Sequence, residues 1–310
     1  MLKLRLLPAL CVLGTGAALA LLQAQTKAPA RPPITGVAHI ALRTGDIAAA
    51  RQFYGQVLGY QQAFRSKAAS GAQALTYFKV NDHQYIELLP ELAGPQQDRL
   101  LHIAFDTTDA RKLRDYLASK GVKVPDKVQP DADGNLSFSI PEPEGERNLE
   151  FVQYMPGSLH SRNFGKDLPA TRVSERMIHV GEIVKDRQAV DHLYRDILGF
   201  RLQWQGGMQD DHTDWVAMRV PDGADWIEYM LNVTNPSPRT RGVMNHLALG
   251  VPSIAEGYET VTARGMKAEK PLIGRDGKWQ LNLYDPDLTR AELMEPKPVR
   301  TPCCSPIIEK

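Results

Sequence analysis

Four short apolar runs, each with a histidine at or near its centre, recur along the chain and set its organisation. They are Val37-Ala38-His39-Ile40-Ala41-Leu42, Leu101-His102-Ile103-Ala104-Phe105, Met177-Ile178-His179-Val180 and Asn245-His246-Leu247-Ala248-Leu249. Each has the length of a strand and runs into a polar turn. An amphipathic stretch with apolar residues three and four apart comes next, the spacing of one helix face. Asp46, Thr108 or Asp109, Asp186 and Ser253 stand where an N-cap is wanted. Gly59, Gly121, Gly199 and Gly265 stand where each helix should end on a left-handed residue. Three further strand candidates follow each glycine, and the last carries a glutamate between apolar neighbours. These are Tyr85-Ile86-Glu87-Leu88-Leu89, Asn148-Leu149-Glu150-Phe151-Val152, Trp226-Ile227-Glu228-Tyr229-Met230 and Arg290-Ala291-Glu292-Leu293-Met294.

The His-to-Glu separations are 48, 48, 49 and 46 residues. The first and third units share Phe53-Tyr54…Leu58-Gly59-Tyr60 against Leu193-Tyr194…Leu198-Gly199-Phe200, and the second and fourth share a Pro-acid turn before the last strand. The pattern therefore predicts an α+β chain of four βαβββ modules, made by duplicating a two-module domain. The expected domains are residues 34–155 and 175–297, with a Gly- and Pro-containing linker at 156–174 and a loose tail at 298–310.

The N-terminus departs from this period. Lys3 and Arg5 precede an apolar run from Leu6 to Leu22, and polar residues follow. That order predicts a signal peptide over residues 1–24, cut after Ala20 or Ala24, with 25–33 as a linker. A membrane anchor is the competing reading, because the run approaches the length of a span. Export to the periplasm or beyond is expected. The cut chain would keep Cys303 and Cys304, whose adjacency argues against a structural disulfide. The formal charge of +1 over 310 residues gives no electrostatic reason to expect nucleic acid or a membrane as partner. A monomer or homodimer acting on a small molecule is expected.

One histidine in an apolar strand is more often a hydrogen-bonded core residue than a ligand. A glutamate between Ile and Leu is odder, since ionised carboxylates are rarely buried unless paired or metal-bound. Recurrence of both at one position in four units points to ligation. If two units pair, two His and two Glu meet on one surface, and nitrogen plus carboxylate donors suit Zn, Ni, Mn, Co or Fe(II). Positions left open would accept two neighbouring substrate oxygens, with a loosened glutamate as base.

The His-strand, helix, Gly, three strands and Glu arrangement resembles the vicinal oxygen chelate superfamily over residues 34–296. That superfamily includes glyoxalase I, extradiol dioxygenases, fosfomycin-resistance proteins and methylmalonyl-CoA epimerase. The resemblance implies paired modules forming open, curved sheets around a divalent metal. Carried onto this chain, the ligands are His39, Glu87, His102 and Glu150 in the first domain, and His179, Glu228, His246 and Glu292 in the second. Glu150 and Glu292 are then the candidate catalytic carboxylates.

Four modules resemble extradiol dioxygenases, whose iron site would fall on His179, His246 and Glu292. That subgroup also shows a His and a Tyr before its last-strand Pro and Glu. Here Pro271 to Asp285 contains no histidine, and Tyr284 directly precedes Asp285-Pro286. The full ligand sets instead favour glyoxalase-like lyase or isomerase chemistry. An Fe(II) dioxygenase and a non-catalytic binding protein are the alternatives. Trp204, Trp215, Trp226 and Tyr229, with the Gly206-Gly207 loop and His212, could form an aromatic pocket in the second domain or simply pack its strands.

Overall fold

A computed structural model describes residues 29–67 and 74–308; the expected signal peptide lies outside them. Among the described residues no helix is long and apolar enough to cross a membrane. The first half contains β1 (Ile34–Arg43), β2 (Gln62–Lys67), β3 (Ala74–Lys79), β4 (Tyr85–Leu89), β5 (Leu100–Thr107), β6 (Gln129–Pro130), β7 (Leu136–Pro141) and β8 (Asn148–Gln153). They form one sheet in the order β2-β3-β4-β1-β5-β8-β7-β6. The second half repeats it with β9 (Met177–Ile183), β10 (Arg201–Gly206), β11 (Trp215–Arg219), β12 (Trp226–Met230), β13 (His246–Gly250), β14 (Leu272–Ile273), β15 (Trp279–Tyr284) and β16 (Arg290–Met294), ordered β10-β11-β12-β9-β13-β16-β15-β14. The chain is thus four βαβββ modules paired into two sheets.

The helices are α1 (Ile47–Arg51), α2 (Ala110–Ser119), α3 (Leu159–Arg162), α4 (Arg187–Asp191), α5 (Pro238–Met244) and α6 (Ile254–Ala263). Both α1 and α4 continue as a π-turn, Gln52–Val57 and His192–Ile197. The expected caps form. Asp46 accepts from the backbone of Ala48 and Ala49, Asp109 from Lys112, Asp186 from Ala189 and Ser253 from Glu256. Gly59, Gly121, Gly199 and Gly265 follow at φ of +76°, +79°, +81° and +88°, where any other L-residue would be strained.

In each sheet the two His strands lie together antiparallel, and each Glu strand flanks one of them in parallel. This places all the chemistry at the centre of the sheet. One apolar core joins the halves: Phe105 of β5 meets Phe200 at 5.2 Å and Tyr194 at 6.3 Å. Polar contacts also cross. Tyr54 donates to Asp285 at 3.0 Å, and the buried Arg147 reaches Asp98, Glu142 and Glu182 at 3.2, 3.3 and 3.2 Å.

The segments at the ends of the halves are packed. In the 156–174 stretch, the buried Lys79 ammonium donates to the carbonyl of Lys166 at 2.9 Å and also to that of Asn163. The expectation of a loose tail is corrected: Ile308 donates to Gln203 at 2.8 Å, and Ser305 bonds both backbone groups of Gln205. The reason is that β10 is an edge strand, whose free N–H and C=O groups need partners. Cys303 and Cys304 are bonded to each other, contrary to the expectation that they form no disulfide.

The Arg147 cluster yields a pH prediction. Burial, then the Glu182 carboxylate, push Glu142 from 4.5 up to about 9, against the pull of Arg147. A carboxyl raised in the folded state adds stability that is complete below its unfolded pKa and lost as pH rises toward its folded one. Glu142→Gln keeps the size and removes the titration. Between pH 5 and pH 9, the urea midpoint of the natural chain should therefore fall more than that of the variant.

Candidate metal centres

Strand register decides which side chains share a face. Ala41 of β1 stands opposite both Glu87 and His102, and His39, two residues away, projects to the same side. Ala104 of β5 stands opposite His39 and Glu150. All four therefore point to one surface, as expected from sequence. His39 Nε2 lies 2.8 Å from His102 Nε2 and 3.3 Å from Glu87, and His102 Nε2 lies 3.4 Å from Glu150. One donor atom each from His39, His102 and Glu150 falls within 4.8 Å of the others, a span one ion can bridge with bonds of about 2 Å.

The second half repeats the register. Gly181 faces Glu228 and His246, and Ala248 faces His179 and Glu292. A Cβ on Gly181 would come within 2.0 Å of the His246 ring, so this position must stay bare. His179 Nε2 is 3.0 Å from His246 Nε2, and the Glu228 and Glu292 oxygens lie 3.5 to 3.8 Å from the two rings. The structure thus brings together all eight residues singled out from the sequence, in two groups of four.

The charges around the two groups differ. In the first half, burial pushes Glu87 well above the usual carboxylate range, and Glu150, Asp133 and Asp131 push it further. Burial, then Asp131, take Glu150 up to about 8 while a Ser137 hydrogen bond pulls the other way. Burial lowers both histidines, His102 to about 4. Two neutral imidazoles among four carboxylates form a donor set short of positive charge, so the residues present fit a divalent cation.

In the second half that charge is built in. Arg290 of β16 places Nη2 2.8 Å from His246 Nε2. The other ring nitrogen, Nδ1, lies 2.8 Å from the Met244 carbonyl, which only accepts, so the ring proton is on Nδ1 and the Nε2 lone pair takes the guanidinium. Lys278 pairs with Asp276 at 3.3 Å and stands 4.7 Å over the Trp226 ring. Burial takes Glu292 up to about 8, with Arg290 opposing. One donor atom each from His179, Glu228 and His246 also falls within 4.8 Å of the others, but the His246 lone pair a metal would need is already engaged, so the second set does not fit an ion as it stands.

Space differs as well. The first cluster opens onto a cavity of about 510 Å³ lined by Tyr77, Asp131, Asp133, Asn148, Tyr154 and His160 with the four ligands among others. Sequence reasoning missed His160, because it comes from the linker helix α3. Its Nδ1 lies 2.9 Å from the Asn135 amide, whose oxygen takes the Met155 N–H, so the amide donates and the ring proton sits on Nε2. That Nε2 and one oxygen of Asp133 are buried without a protein partner. Burial, then Lys79, lower His160 to about 3, so the ring is a neutral donor. The only hint in the sequence was a histidine and a tyrosine just beyond the Glu150 strand.

On the equivalent second face, Ile178, Trp204, Trp226 and Met294 pack with Trp215, Cys303 and Ile307. Trp204 Nε1 donates to the Cys303 carbonyl at 3.2 Å. The aromatic side chains expected to wall a pocket are therefore packed beneath the tail. Tyr229 points the other way, into the core beside Tyr194 at 6.0 Å, and His212 is exposed beside Asp211.

The family described as the Glyoxalase/Bleomycin resistance protein/Dioxygenase superfamily matches residues 36–149 and 176–293. No curated protein matches the chain. Among solved structures, homoprotocatechuate 2,3-dioxygenase from Brevibacterium fuscum in complex with 3,4-dihydroxyphenylacetate is similar at 20% identity, covering 88% of this chain and 83% of that one, with a TM-score of 0.62. A room-temperature extradiol ring-cleaving dioxygenase from B. fuscum gives 20% identity, 86% and 73% coverage and a TM-score of 0.62. At this identity the likeness is one of fold.

All four tryptophans, Trp204, Trp215, Trp226 and Trp279, lie in the second half. Deleting residues 298–310 removes the cover from this face and costs roughly 1.5–3 kcal/mol for each apolar side chain lost from it. Tryptophan emission should shift to the red and the melting temperature should fall. Unchanged emission would show that the tail does not shield these rings.

Proposed function

Because the chain belongs to the glyoxalase/bleomycin resistance protein/dioxygenase superfamily, we propose that it is an exported, divalent-metal-dependent enzyme whose working centre lies in the first half. His39, Glu87, His102 and Glu150 would hold the ion, and the cavity above them would take a small substrate with two adjacent oxygens. The single observation carrying this reading is the position of that charge-deficient donor set at the floor of the first-half cavity. A bound ion would supply Lewis acidity to the substrate oxygens. The chain's own groups do the rest. Glu150, at the floor of the cavity, moves a proton. His160 donates from Nε2 to a substrate oxygen away from the ligands, and Tyr77 and Tyr154 exclude water. Lyase or isomerase chemistry follows, since proton movement is what these groups can perform. Glu292, the other candidate catalytic carboxylate, has a structural role in this reading.

A ring-cleaving dioxygenase is the second reading, favoured by one observation: His160 and two tyrosines stand in the first-half cavity. Metal content and oxygen use separate the two. Removing a group that merely orients a ligand costs about 10–100-fold in metal affinity, so Glu150→Gln should cost the natural chain more than that. The metal-loaded enzyme should turn over without dioxygen, and several divalent ions should support it. Oxygen uptake with a catechol, restored only by Fe(II), would establish the second reading.

Export is supported by the basic, apolar and polar order of the N-terminus and by the bonded cysteines, which suit an oxidising compartment. Residues 1–30 fused to a reporter that works only in the periplasm should give an active, shortened product; an inactive, full-length one would return the chain to the cytosol.

A further inference from the structure

We infer that the second cluster is a metal site converted to a guanidinium site: Arg290 takes the His246 lone pair that an ion would need, and this cluster holds no metal in the natural chain. The inference rests on the pairing of the two halves. Ser139 faces Glu150 as Asn282 faces Glu292. Counting along these hairpins sets Asn148 against Arg290, Asn135 against Lys278 and Asp131 against Gly274. At these three positions the first half has two amides and a carboxylate, whereas the second has two cations and a glycine. Each change makes the second cluster more positive.

Geometry agrees with charge. Arg290 has only donors to offer, and one of them meets the single lone pair left on His246. The side chain is held there because β16 alternates: Arg290 and Glu292 are two residues apart and project to the same face. Both histidines are fully buried and Glu292 nearly so, and their surroundings include Trp226 and the Cys303–Cys304 tail. A cation tied to the chain needs no entry path, whereas an ion does. The guanidinium takes the same His246 lone pair that a metal would.

The inference concerns the second cluster and does not require that the first be catalytic. Its test is metal stoichiometry on the full chain, with Co(II) as probe. The natural chain should hold one equivalent. Arg290→Asn, which installs the residue of the first half, should raise this to two. Trp226 lies 4.9 Å from His179, so Co(II) should quench tryptophan emission more in that variant than in the natural chain. The reciprocal change, Asn148→Arg at an exposed position of the first half, should abolish the original equivalent. In a Glu150→Gln background, Arg290→Asn should bind one ion in the second half alone. That arm separates the two proposals: no metal in the natural chain, but one ion after Arg290→Asn, would sink the proposed function and leave this inference standing. Two equivalents in the natural chain would overturn it, as would an Arg290→Asn chain that remains folded by circular dichroism and gains no ion. Full metal retention in Asn148→Arg would overturn it too, even if Arg290→Asn failed to fold.

Discussion

Glu87 and Glu292 are buried, and Glu150 and Glu228 half-buried, on the faces of two sheets, and a buried charge left without a partner costs several kcal/mol. Much of the divergence between the halves follows from how that cost is met. In the second half Arg290 and Lys278 oppose the upward push on Glu292 from burial, Glu228 and Asp276. The first half keeps Asp133, as the second keeps Asp276, but has Asp131 where the second has Gly274, which deepens the deficit and makes the site dependent on a cation from outside. Duplication supplied two equal frames, and a few substitutions at matched positions sent them to different electrostatic ends.

Packing followed the same division. The first face carries Ala38, Ala104 and Val152, small residues that leave room above the ligands. The second carries Ile178, Ala248 and Met294, with Trp204 and Trp226 filling the remainder. Each half is also followed by a segment that folds back over its own sheet. The one after β8 brings His160 to the rim of a cavity, whereas the one after β16 lays Cys303 and Ile307 onto the tryptophans. An apolar cover suits a face whose charges are already paired, and a polar rim suits one that admits a ligand.

The ligands themselves are held by the central strands of each sheet rather than by loops, which fixes their separation through backbone pairing. Long-range contacts add a second restraint. Tyr54 with Asp285, and Arg147 with Glu182, tie the halves together. These polar contacts are buried, so they hold the frame in one arrangement, and they leave the faces free to diverge.

The alternation of apolar residues determined the strands, because a period of two survives any change that keeps one face buried. The Glu87, Glu228 and Glu292 strands have the expected bounds, and all four cap residues act as expected. Likewise, the recurrence of His and Glu determined the eight residues that meet. Arg290 was within reach of the same logic, being two residues before Glu292, but alternation gives a face and not a direction. Whether a long guanidinium turns into a cluster or out to water depends on the charges and the cover it meets. Those come from the hairpin at Asp276 and the tail at Cys303, elements brought there only by folding. The sequence by itself determined the modules and the two sets of four; the tertiary structure decided which set keeps a free lone pair and an open cavity, because both depend on neighbours distant in the chain.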